Sequence, residues 1–354
     1  YDLRNFAQLE TVVDRALAIT QAEPQGPVYL TLPREVLAER QESFEYADPS
    51  RAPRPSDVVA APGAIAEAAR ILAAAKNPIV NVKAGGRDPR AVGALVKLAD
   101  AAALPVVDHF HTHMNFPQDH PLHAGFDATP HLDEADAIVV IESDAPWFPS
   151  AKSPRPEAKL IQVGVDPLFA RYPIRGFGAD VALAGAPCLT LEALAEAVRP
   201  LMDARAVAER RARWTGANAK LREKWAANAR KVQGDRPIDM VWLSKCVGDL
   251  VDERTILVNE YDLDVTQACF RVPASYFNSP PASGLGWGLG AALGAKLAAP
   301  DKTVICCVGD GAYIFGAPTA AHFTSRAYDI PVLFVIFNNR AWNAVKRAVR
   351  DYAP

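Results

Sequence analysis

The chain has 354 residues, half of them apolar, which is enough for two or three domains with large cores. Its 38 Lys and Arg nearly balance 41 Asp and Glu, and the net charge of −3 argues against a protein that binds nucleic acid or an anionic membrane. The five cysteines lack the spacing of a metal site or a disulfide framework, and no apolar run is long enough to span a membrane, so we expect a cytoplasmic protein.

The N-terminal part of the chain predicts one helix and one strand. Residues 6–23 have apolar side chains at helical spacing, and residues 28–32 predict a strand that Pro33 ends. Because one helix and one strand cannot form a domain, we interpret residues 1–42 as the end of a larger domain. Residues 43–62 contain four prolines and predict a linker.

Short strands and helices alternate over residues 63–200, which predicts a parallel α/β domain. The predicted helices are residues 63–75, 90–102 and 189–198, and the predicted strands are residues 79–82, 106–109, 137–141, 160–165 and 181–184. Residues 201–236 predict a helical linker with an exposed surface, because acidic and basic residues are interspersed along it.

A third unit is predicted over residues 237–354. Its first helix is expected at residues 237–251, followed by a strand at residues 255–259. The β-branched runs at residues 303–308 and 332–337 predict two strands buried on both faces, with a helix at residues 315–326 between them. Such a strand-helix-strand crossover is right-handed, and its two strands are parallel.

The residues that directly follow the two buried strands of this unit can bind a metal ion. Asp310 follows the first strand within a Gly-Asp-Gly motif, and Asn338 and Asn339 follow the second. Open α/β sheets bind ligands at this edge. One carboxylate and one amide oxygen are too few for a calcium cage but suit Mg²⁺, which takes further oxygens from phosphates and water. Because residues 303–325 contain no Lys or Arg, the motif is not a P-loop, and we infer a magnesium-bound diphosphate.

The Gly-Asp-Gly motif at residues 309–311 and the Asn pair at residues 338–339 resemble the signature of enzymes that bind thiamine diphosphate and magnesium. Residues 274–298, with the sequence ASYFNSPPASGLGWGLGAALGAKLA, are similar to benzoylformate decarboxylase and to acetolactate-synthase-like enzymes. Either motif alone is a weak signal, whereas the two at this separation are specific. The resemblance implies parallel-sheet, three-layer α/β domains: a thiamine-diphosphate-binding fold with a Rossmann-like middle domain. It also implies an enzyme that acts on a 2-oxo acid.

The resemblance further implies which residues contact the cofactor. The side chains of Asp310 and Asn339 and the carbonyl of Ala341 would bind Mg²⁺. Leu285 would lie under the thiazolium ring. The residues implied to bind thiamine diphosphate are Asp262, Leu263, Gly284, Leu285, Gly286, Asp310, Gly311, Ala312, Asn339, Ala341 and Trp342.

By the same resemblance, the chain is a fragment. Residues 1–42 would be the C-terminal remnant of a pyrimidine-binding domain, residues 63–200 the middle domain, and residues 237–354 a diphosphate-binding domain that is truncated at its C-terminus. The catalytic glutamate that activates the aminopyrimidine is expected in the missing N-terminal part. A partner subunit would supply it, which implies a homodimer or homotetramer, and we expect the 354-residue chain alone to be inactive.

Two other motifs allow alternative interpretations. Residues 286–291 match a dinucleotide-binding fingerprint, but residues 279–281 before them do not predict a strand. His109, His111 and His113 alternate along the chain and can bind zinc if His120 or His123 joins them. For these histidines we prefer a loop at the end of a strand, with solvated or substrate-facing rings. For residues 286–291 we prefer a contact with the cofactor over a small-residue helix start.

A glycine pair in the middle domain leaves the cofactor set and the reaction open. Residues 84–87, Ala-Gly-Gly-Arg, follow a predicted strand and can bind a phosphate, and acetolactate synthases bind FAD in this domain. We prefer a simple turn, with FAD as the alternative. A carboligase of the acetolactate-synthase type and a non-catalytic relative therefore stay alternatives to a decarboxylase.

Several positions differ from the pattern of these enzymes. Relatives often have Ser or Thr directly after the position of Glu260, where this chain has Tyr261 and Asp262, and Asp262 would repel a diphosphate if it pointed inward. Ala312 follows the Gly-Asp-Gly motif where many relatives have Ser, and Arg340 follows the Asn pair in place of a Gly-containing run. These differences concern cofactor affinity and substrate class rather than the fold.

Overall fold

The computed structural model describes residues 1–46, 55–280 and 284–352, and it forms two compact units, residues 1–59 and 60–354. The first unit contains helices α1 (Leu9–Gln21) and α2 (Arg34–Leu37). The predicted strand at residues 28–32 is wrong, since only a single bridge joins Thr31 to Asp2. A strand needs a partner along its length, and the described part of this unit offers none. The middle of the predicted linker, residues 47–54, lies outside the described residues.

The first sheet of the second unit has five parallel strands in the order β2-β1-β3-β4-β5. Its strands are β1 (Pro78–Val82), β2 (Val106–Val107), β3 (Ala137–Ile141), β4 (Lys159–Gly164) and β5 (Val181–Ala184). All five predicted strands are confirmed, although β2 ends two residues earlier than expected. Strands β1, β2 and β3 are fully buried, as their β-branched runs indicate.

Helices cover one face of this sheet. They are α3 (Pro62–Ala74), α4 (Pro89–Ala102) and α5 (Pro187–Val198), each within two residues of the predicted bounds and each with proline in its first turn. Their apolar faces join the strands in the largest core cluster of the molecule that the structure describes. The opposite face of the sheet is covered by Leu132 and Trp147 from connecting segments.

The predicted surface helix forms as α6 (Ala204–Val232), with the Asp203 side chain as its N-cap, and its inner face packs on the middle domain. Arg210 is buried and donates hydrogen bonds to two carbonyls, Ala102 O at 2.8 Å and Ala75 O at 2.7 Å. Asn218 donates from Nδ2 to the carbonyl of His123 at 2.6 Å. The helix is therefore attached to the middle domain by buried polar contacts as well as by apolar ones.

The second sheet has four parallel strands in the order β7-β6-β8-β9. Its strands are β6 (Thr255–Glu260), β7 (Tyr276–Asn278), β8 (Thr303–Gly309) and β9 (Leu333–Phe337). Its helices are α7 (Met240–Gly248), α8 (Trp287–Ala298), α9 (Asp310–Phe315), α10 (Pro318–Ala327) and α11 (Asn343–Tyr352). None of the helices in the described ranges is both long and apolar enough to cross a bilayer.

Three details of this unit correct the sequence-based expectations. The helix predicted at residues 315–326 forms as α10 but starts three residues later, at Pro318, after Gly316 and a left-handed Ala317, and the short helix α9 before it was not predicted. The helix predicted at residues 237–251 is shorter, since Asp239 caps α7 and only then does the helix begin. The short strand β7 was not predicted, and it precedes the region of the dinucleotide-like fingerprint.

The two sheets of the second unit are joined through the loop after β2. The amide of Met114 donates to the carbonyl of Tyr276 at 3.2 Å, and the amide of Asn278 donates to the carbonyl of Thr112 at 2.9 Å. These bonds flank an antiparallel bridge between His113 and a residue of β7. The loop thus pairs with the outer edge of β7.

Candidate functional site

The carboxyl ends of β6, β8 and β9 form one edge of the second sheet, because the three strands are parallel and adjacent. The register aligns Glu260 with Val308 and Gly309 with Phe337. Asp310 is the first residue of α9, directly after β8. The structure therefore brings Asp310 and the Asn pair to neighbouring strand ends, as the sequence predicted.

Asp262 points toward this edge rather than away from it. The backbone turns at Tyr261, which has a positive φ of 76°, and returns the chain toward β8. A Cβ atom added at Gly309 would lie 2.4 Å from Asp262 Oδ2, so the glycine makes room for this carboxylate. Burial, together with the nearby charge of Asp310, raises the pKa of Asp262 to about 6, against the opposing effect of Arg347. Two carboxylates thus approach each other at the strand ends.

The Asn pair folds its side chains onto its own loop. Asn339 Oδ1 accepts a hydrogen bond from the amide of Ala341 at 2.9 Å, and Asn338 Oδ1 accepts one from the amide of Arg340 at 3.0 Å. The carbonyl of Ala341 accepts from the amide of Asn343 at 2.8 Å. The Asn339 side-chain oxygen and the Ala341 carbonyl oxygen are thus both held by backbone amides of the same loop. Arg340 is exposed and has a positive φ of 56°.

Gly311 and Trp342 lie against each other. A Cβ atom added at Gly311 would lie 2.9 Å from Trp342 Cε3, so only glycine fits under this ring without a shift. Trp342 also contacts Phe315 edge to face, with ring centroids 6.4 Å apart. The Gly-Asp-Gly motif and the loop after β9 are therefore packed together, which brings both halves of the predicted metal site into one place.

Glu260, which the sequence marked only as a reference position, is a fully buried acid at the end of β6. Its Oε1 accepts a hydrogen bond from the amide of Gly286 and its Oε2 accepts one from the amide of Gly288, both at 2.7 Å. The sequence signal for this residue was an acid at the end of an apolar strand. Its hydrogen-bond partners are 26 and 28 residues away along the chain, so sequence spacing does not identify them.

The remaining predicted residues fall into two groups. Gly284 and Leu285 lie in the loop before α8, where Leu285 is 37% exposed. Leu263 and Ala312 are buried in the two core clusters of the second sheet. The amide of Leu263 donates to Asn259 Oδ1 at 3.1 Å, so that group is already paired within the protein. Whether these residues contact a cofactor stays a prediction.

The oxygen atoms at this edge match the donor chemistry of a Mg²⁺ site. Asp310 follows β8, and Asn339 and Ala341 follow the adjacent strand β9. They offer a carboxylate, an amide oxygen and a carbonyl oxygen, and hard oxygen ligands of this kind suit Mg²⁺ in company with phosphate. Asp262 is the one feature that does not match a diphosphate, because its charge would face the same anion. The residues present thus fit the metal well and the diphosphate with one opposing charge.

The histidines lie in the loop after β2, as predicted, but a solvated position is wrong for two of them. His109 and His111 are buried, with 4% and 6% exposure. His111 packs between the rings of Phe126 and Tyr276, with centroid distances of 5.1 and 4.9 Å. Burial lowers the pKa of both histidines. Within the described residues, no group of three or more His, Cys, Asp and Glu is arranged to bind a metal.

The glycine pair of the middle domain forms the predicted turn. Residues Gly85–Arg87 form one turn of 3₁₀ helix, and the amide of Gly86 donates to Asn115 Oδ1 at 2.8 Å. A Cβ atom at Gly86 would lie 2.0 Å from the carbonyl of Met114. The glycines therefore serve close packing against the protein's own chain.

Two family models match the chain. One, described as the central domain of thiamine pyrophosphate enzymes, covers residues 65–194. The other, described as their C-terminal TPP binding domain, covers residues 261–353. The first contains the five-stranded sheet, and the second contains the adjacent strands β8 and β9, which Asp310 and Asn339 follow.

Curated relatives of known name match nearly the whole chain. Benzoylformate decarboxylase of Pseudomonas aeruginosa is 30% identical over 356 residues, which cover 94% of this chain and 61% of that protein. The large subunit of acetolactate synthase isozyme 1 of Escherichia coli is 26% identical over 359 residues, which cover 98% of this chain and 60% of that protein. The chain therefore spans about 60% of the length of these relatives.

A solved structure agrees in fold. The thiamine diphosphate-dependent 4-hydroxybenzoylformate decarboxylase of Rhodococcus jostii superposes with a TM-score of 0.75 at 23% identity, covering 99% of this chain and 65% of that one. At this identity the likeness concerns the fold alone. Taken with the two family models, it shows that the chain belongs to the thiamine pyrophosphate enzymes, of which it contains the central domain and the C-terminal TPP binding domain.

Proposed function

We propose that this chain is part of an enzyme that decarboxylates a 2-oxo acid with thiamine diphosphate and Mg²⁺. The observation that supports this most is that Asp310 and the loop of Asn339 and Ala341 directly follow adjacent parallel strands, β8 and β9. The benzoylformate decarboxylase relative, at 30% identity, supports the choice of substrate class.

Each residue of the site has a distinct proposed role. Asp310 and Asn339 would bind Mg²⁺ through side-chain oxygens, and Ala341 through its carbonyl. Backbone groups at Gly311 and Trp342 would border the diphosphate, and Leu285 would contact the thiazolium ring. Thiamine diphosphate, when bound, supplies the nucleophilic carbon and the electron sink that decarboxylation of a 2-oxo acid requires.

We further propose that the active enzyme is a homodimer or homotetramer. The exposed apolar side chains around α9 and α10 support this, since contiguous exposed apolar surface marks sites of interaction. They include Ile314, Phe315 and Phe323, which are exposed by 65%, 66% and 74%. A glutamate from the pyrimidine-binding domain of a partner subunit would act on the cofactor.

A carboligase of the acetolactate-synthase type is the second candidate, and the Escherichia coli relative supports it. The two reactions share the loss of CO₂ and differ in the fate of the remaining carbon fragment. A decarboxylase releases it as an aldehyde, whereas a carboligase joins it to a second carbonyl compound. A non-catalytic relative is the third candidate and would not turn over any 2-oxo acid.

The test is an assay of the full-length protein against a panel of aromatic and aliphatic 2-oxo acids. Release of CO₂ and the organic products are measured with and without Mg²⁺ and thiamine diphosphate. We expect CO₂ and aldehyde, both dependent on the cofactor and the metal. A 2-hydroxy-3-oxo product would favour the carboligase, and a yellow protein with bound FAD would favour it further. No turnover of any acid, together with no cofactor binding, would contradict the proposal.

A further inference from the structure

Glu260 is a buried acid for which the proposed metal and cofactor contacts provide no role. It ends β6, it is fully buried, and each of its carboxylate oxygens accepts one short hydrogen bond from a backbone amide. Hydrogen bonds to an ionised carboxylate are about twice as strong as neutral ones. Glu260 therefore makes a two-point attachment between the end of β6 and the start of α8.

The backbone around this attachment is shaped to accept it. A Cβ atom at Gly288 would lie 3.0 Å from Glu260 Oε2 and 3.3 Å from Cys306 Sγ, so glycine leaves the space that the carboxylate uses. Gly286 has a φ of +89°, and a Cβ atom there would lie 2.4 Å from the Cα of Gly316. Glycine at both positions allows the turn to pass close to β6 and to the end of α9.

The charge of Glu260 is compensated by backbone amides rather than by a cation. Among the ion pairs of the described residues, none includes Glu260. Its two partners are the amide of the N-cap residue Gly286 and the free amide of Gly288 in the first turn of α8, where the helix dipole favours negative charge. An N-cap usually comes from the residue before the helix. Here that residue is Gly286, and it has no side chain, so a distant strand supplies the cap.

The attachment acts on the loop that precedes α8. Leu285 is next to Gly286, and it is 37% exposed, directly before the point where Glu260 ties down the chain. After β6 ends at Glu260, the chain turns at Tyr261 and leads to Asp262, which lies beside Gly309. A single side chain thus connects the turn at Leu285 to the strand end next to the Gly-Asp-Gly motif.

We propose that Glu260 is a positioning residue: its carboxylate holds the amides of Gly286 and Gly288 and thereby fixes Leu285 where it can contact the cofactor. This rests on the proposed function, because it assumes that thiamine diphosphate binds at this edge of the sheet. In this role Glu260 acts through the two backbone amides that its carboxylate oxygens accept from.

The experiment compares two variants of the full-length enzyme that remove the same kind of contact. Glu260→Gln leaves one acceptor and places an NH₂ group against a backbone N–H. Asp136→Asn is the matched control, since the Asp136 carboxylate also accepts from two backbone amides, Lys76 N at 2.7 Å and Asn77 N at 2.9 Å, within the middle domain. Thiamine diphosphate affinity at saturating Mg²⁺, kcat and KM for the 2-oxo acid, and amide exchange at residues 286–289 are measured for each.

We expect Glu260→Gln to weaken thiamine diphosphate binding by roughly tenfold or more, to lower kcat with little change in KM, and to speed exchange at residues 286–289. Asp136→Asn should change none of these. If Glu260→Gln does not fold, Gly288→Ala tests the same contact, because its Cβ presses on Oε2. Equal cofactor affinity and kcat in wild type and a folded variant would overturn the inference alone. A wild-type protein that does not bind thiamine diphosphate would overturn the proposed function as well.

Discussion

Asp310 is the single side chain on which the proposed metal site depends most. It follows β8 at the start of α9, outside the hydrophobic core. We predict that Asp310→Ala lowers thiamine diphosphate affinity in the presence of Mg²⁺ by at least about a hundredfold and leaves the melting temperature nearly unchanged. Calorimetric titration of the full-length protein measures the affinity, with Asp301→Ala, an exposed acid beyond α8, as the control. Unchanged affinity would contradict the metal site.

Asp262 places a carboxylate where it would repel the proposed diphosphate ligand. Its carboxylate lies beside Gly309 and faces the charge of Asp310. We predict that Asp262→Ser strengthens thiamine diphosphate binding by about tenfold at saturating Mg²⁺, because it removes a negative charge and adds a hydroxyl donor. Asp249→Ser, at the end of α7, is the control. Weaker binding would refute the prediction and place Asp262 among the metal ligands.

At the scale of elements, the attachment of α6 depends on one arginine. Arg210 donates to the carbonyls of Ala102 and Ala75, which are the last residue of α4 and the C-cap of α3. Its removal leaves one buried and one partly buried carbonyl at helix ends without this partner. We predict that Arg210→Ala lowers the free energy of unfolding by about 2–3 kcal/mol. Arg205→Ala, in the same helix but with an exposed ion pair, should cost under about 0.5 kcal/mol in urea denaturation. Similar costs for both variants would contradict this role.

The loop between the two sheets should make stability depend on pH. Burial, then the charges of Arg87 and His111, lower the pKa of His113 to about 4. Since the unfolded chain takes up this proton near pH 6.5 and the folded one near pH 4, the stabilisation is complete above pH 6.5 and is lost as pH falls toward 4.

We predict that His113→Gln reduces the fall in the free energy of unfolding between pH 6.5 and 4 by up to about 1 kcal/mol per pH unit. Chemical denaturation at a series of pH values measures it, with exposed His322→Gln as the control. Parallel curves for His113→Gln and wild type would show that His113 is readily protonated in the folded state.

How much the sequence could predict differs between elements for physical reasons. Strands β1 and β3 of the middle domain are β-branched runs buried on both faces, and composition alone identifies them. Residues 28–32 have a similar composition, but a strand also needs a neighbour, which sequence does not report. Strand β7 has only three residues, too few for any periodic signal. Helix α9 has only six residues and was likewise missed, whereas Gly316 and Pro318 marked the observed start of α10.

The sequence could predict those site residues whose side-chain type and place after a strand already indicate metal binding. Asp310 and Asn339 stood out because polar ligands directly followed two β-branched strand runs, although only the first strand, β8, is buried, and β9 is partly exposed. Glu260 was missed because its role depends on two backbone amides that come close only in three dimensions. The direction of Asp262 was also beyond sequence, since the positive φ at Tyr261 decides it. Side-chain types could be predicted, and their orientations could not.

At the scale of the whole molecule, the polar and apolar contacts of α6 bear on where the middle domain ends. Residues 63–200 were predicted as one domain from sequence, yet Trp214 of α6 packs against its core. We predict that a fragment of residues 60–232 unfolds cooperatively, and that a fragment of residues 60–200 is less stable by at least about 2 kcal/mol. Thermal and urea unfolding of both fragments measures this. Equal stability would show that α6 contributes nothing to the domain.

The pairing of the loop after β2 with β7 has a consequence for association. An edge strand exposes unpaired amides and carbonyls that can recruit a foreign strand. On the β7 side, the amide of Met114 and the carbonyl of Thr112 occupy those positions, so the middle domain shields that margin of the second sheet. Within the described residues, β9 forms the opposite margin, and Leu333 and Ile336 on it are 48% and 38% exposed. Any further strand must therefore add beside β9, so this sheet can be extended at one edge but not at the other.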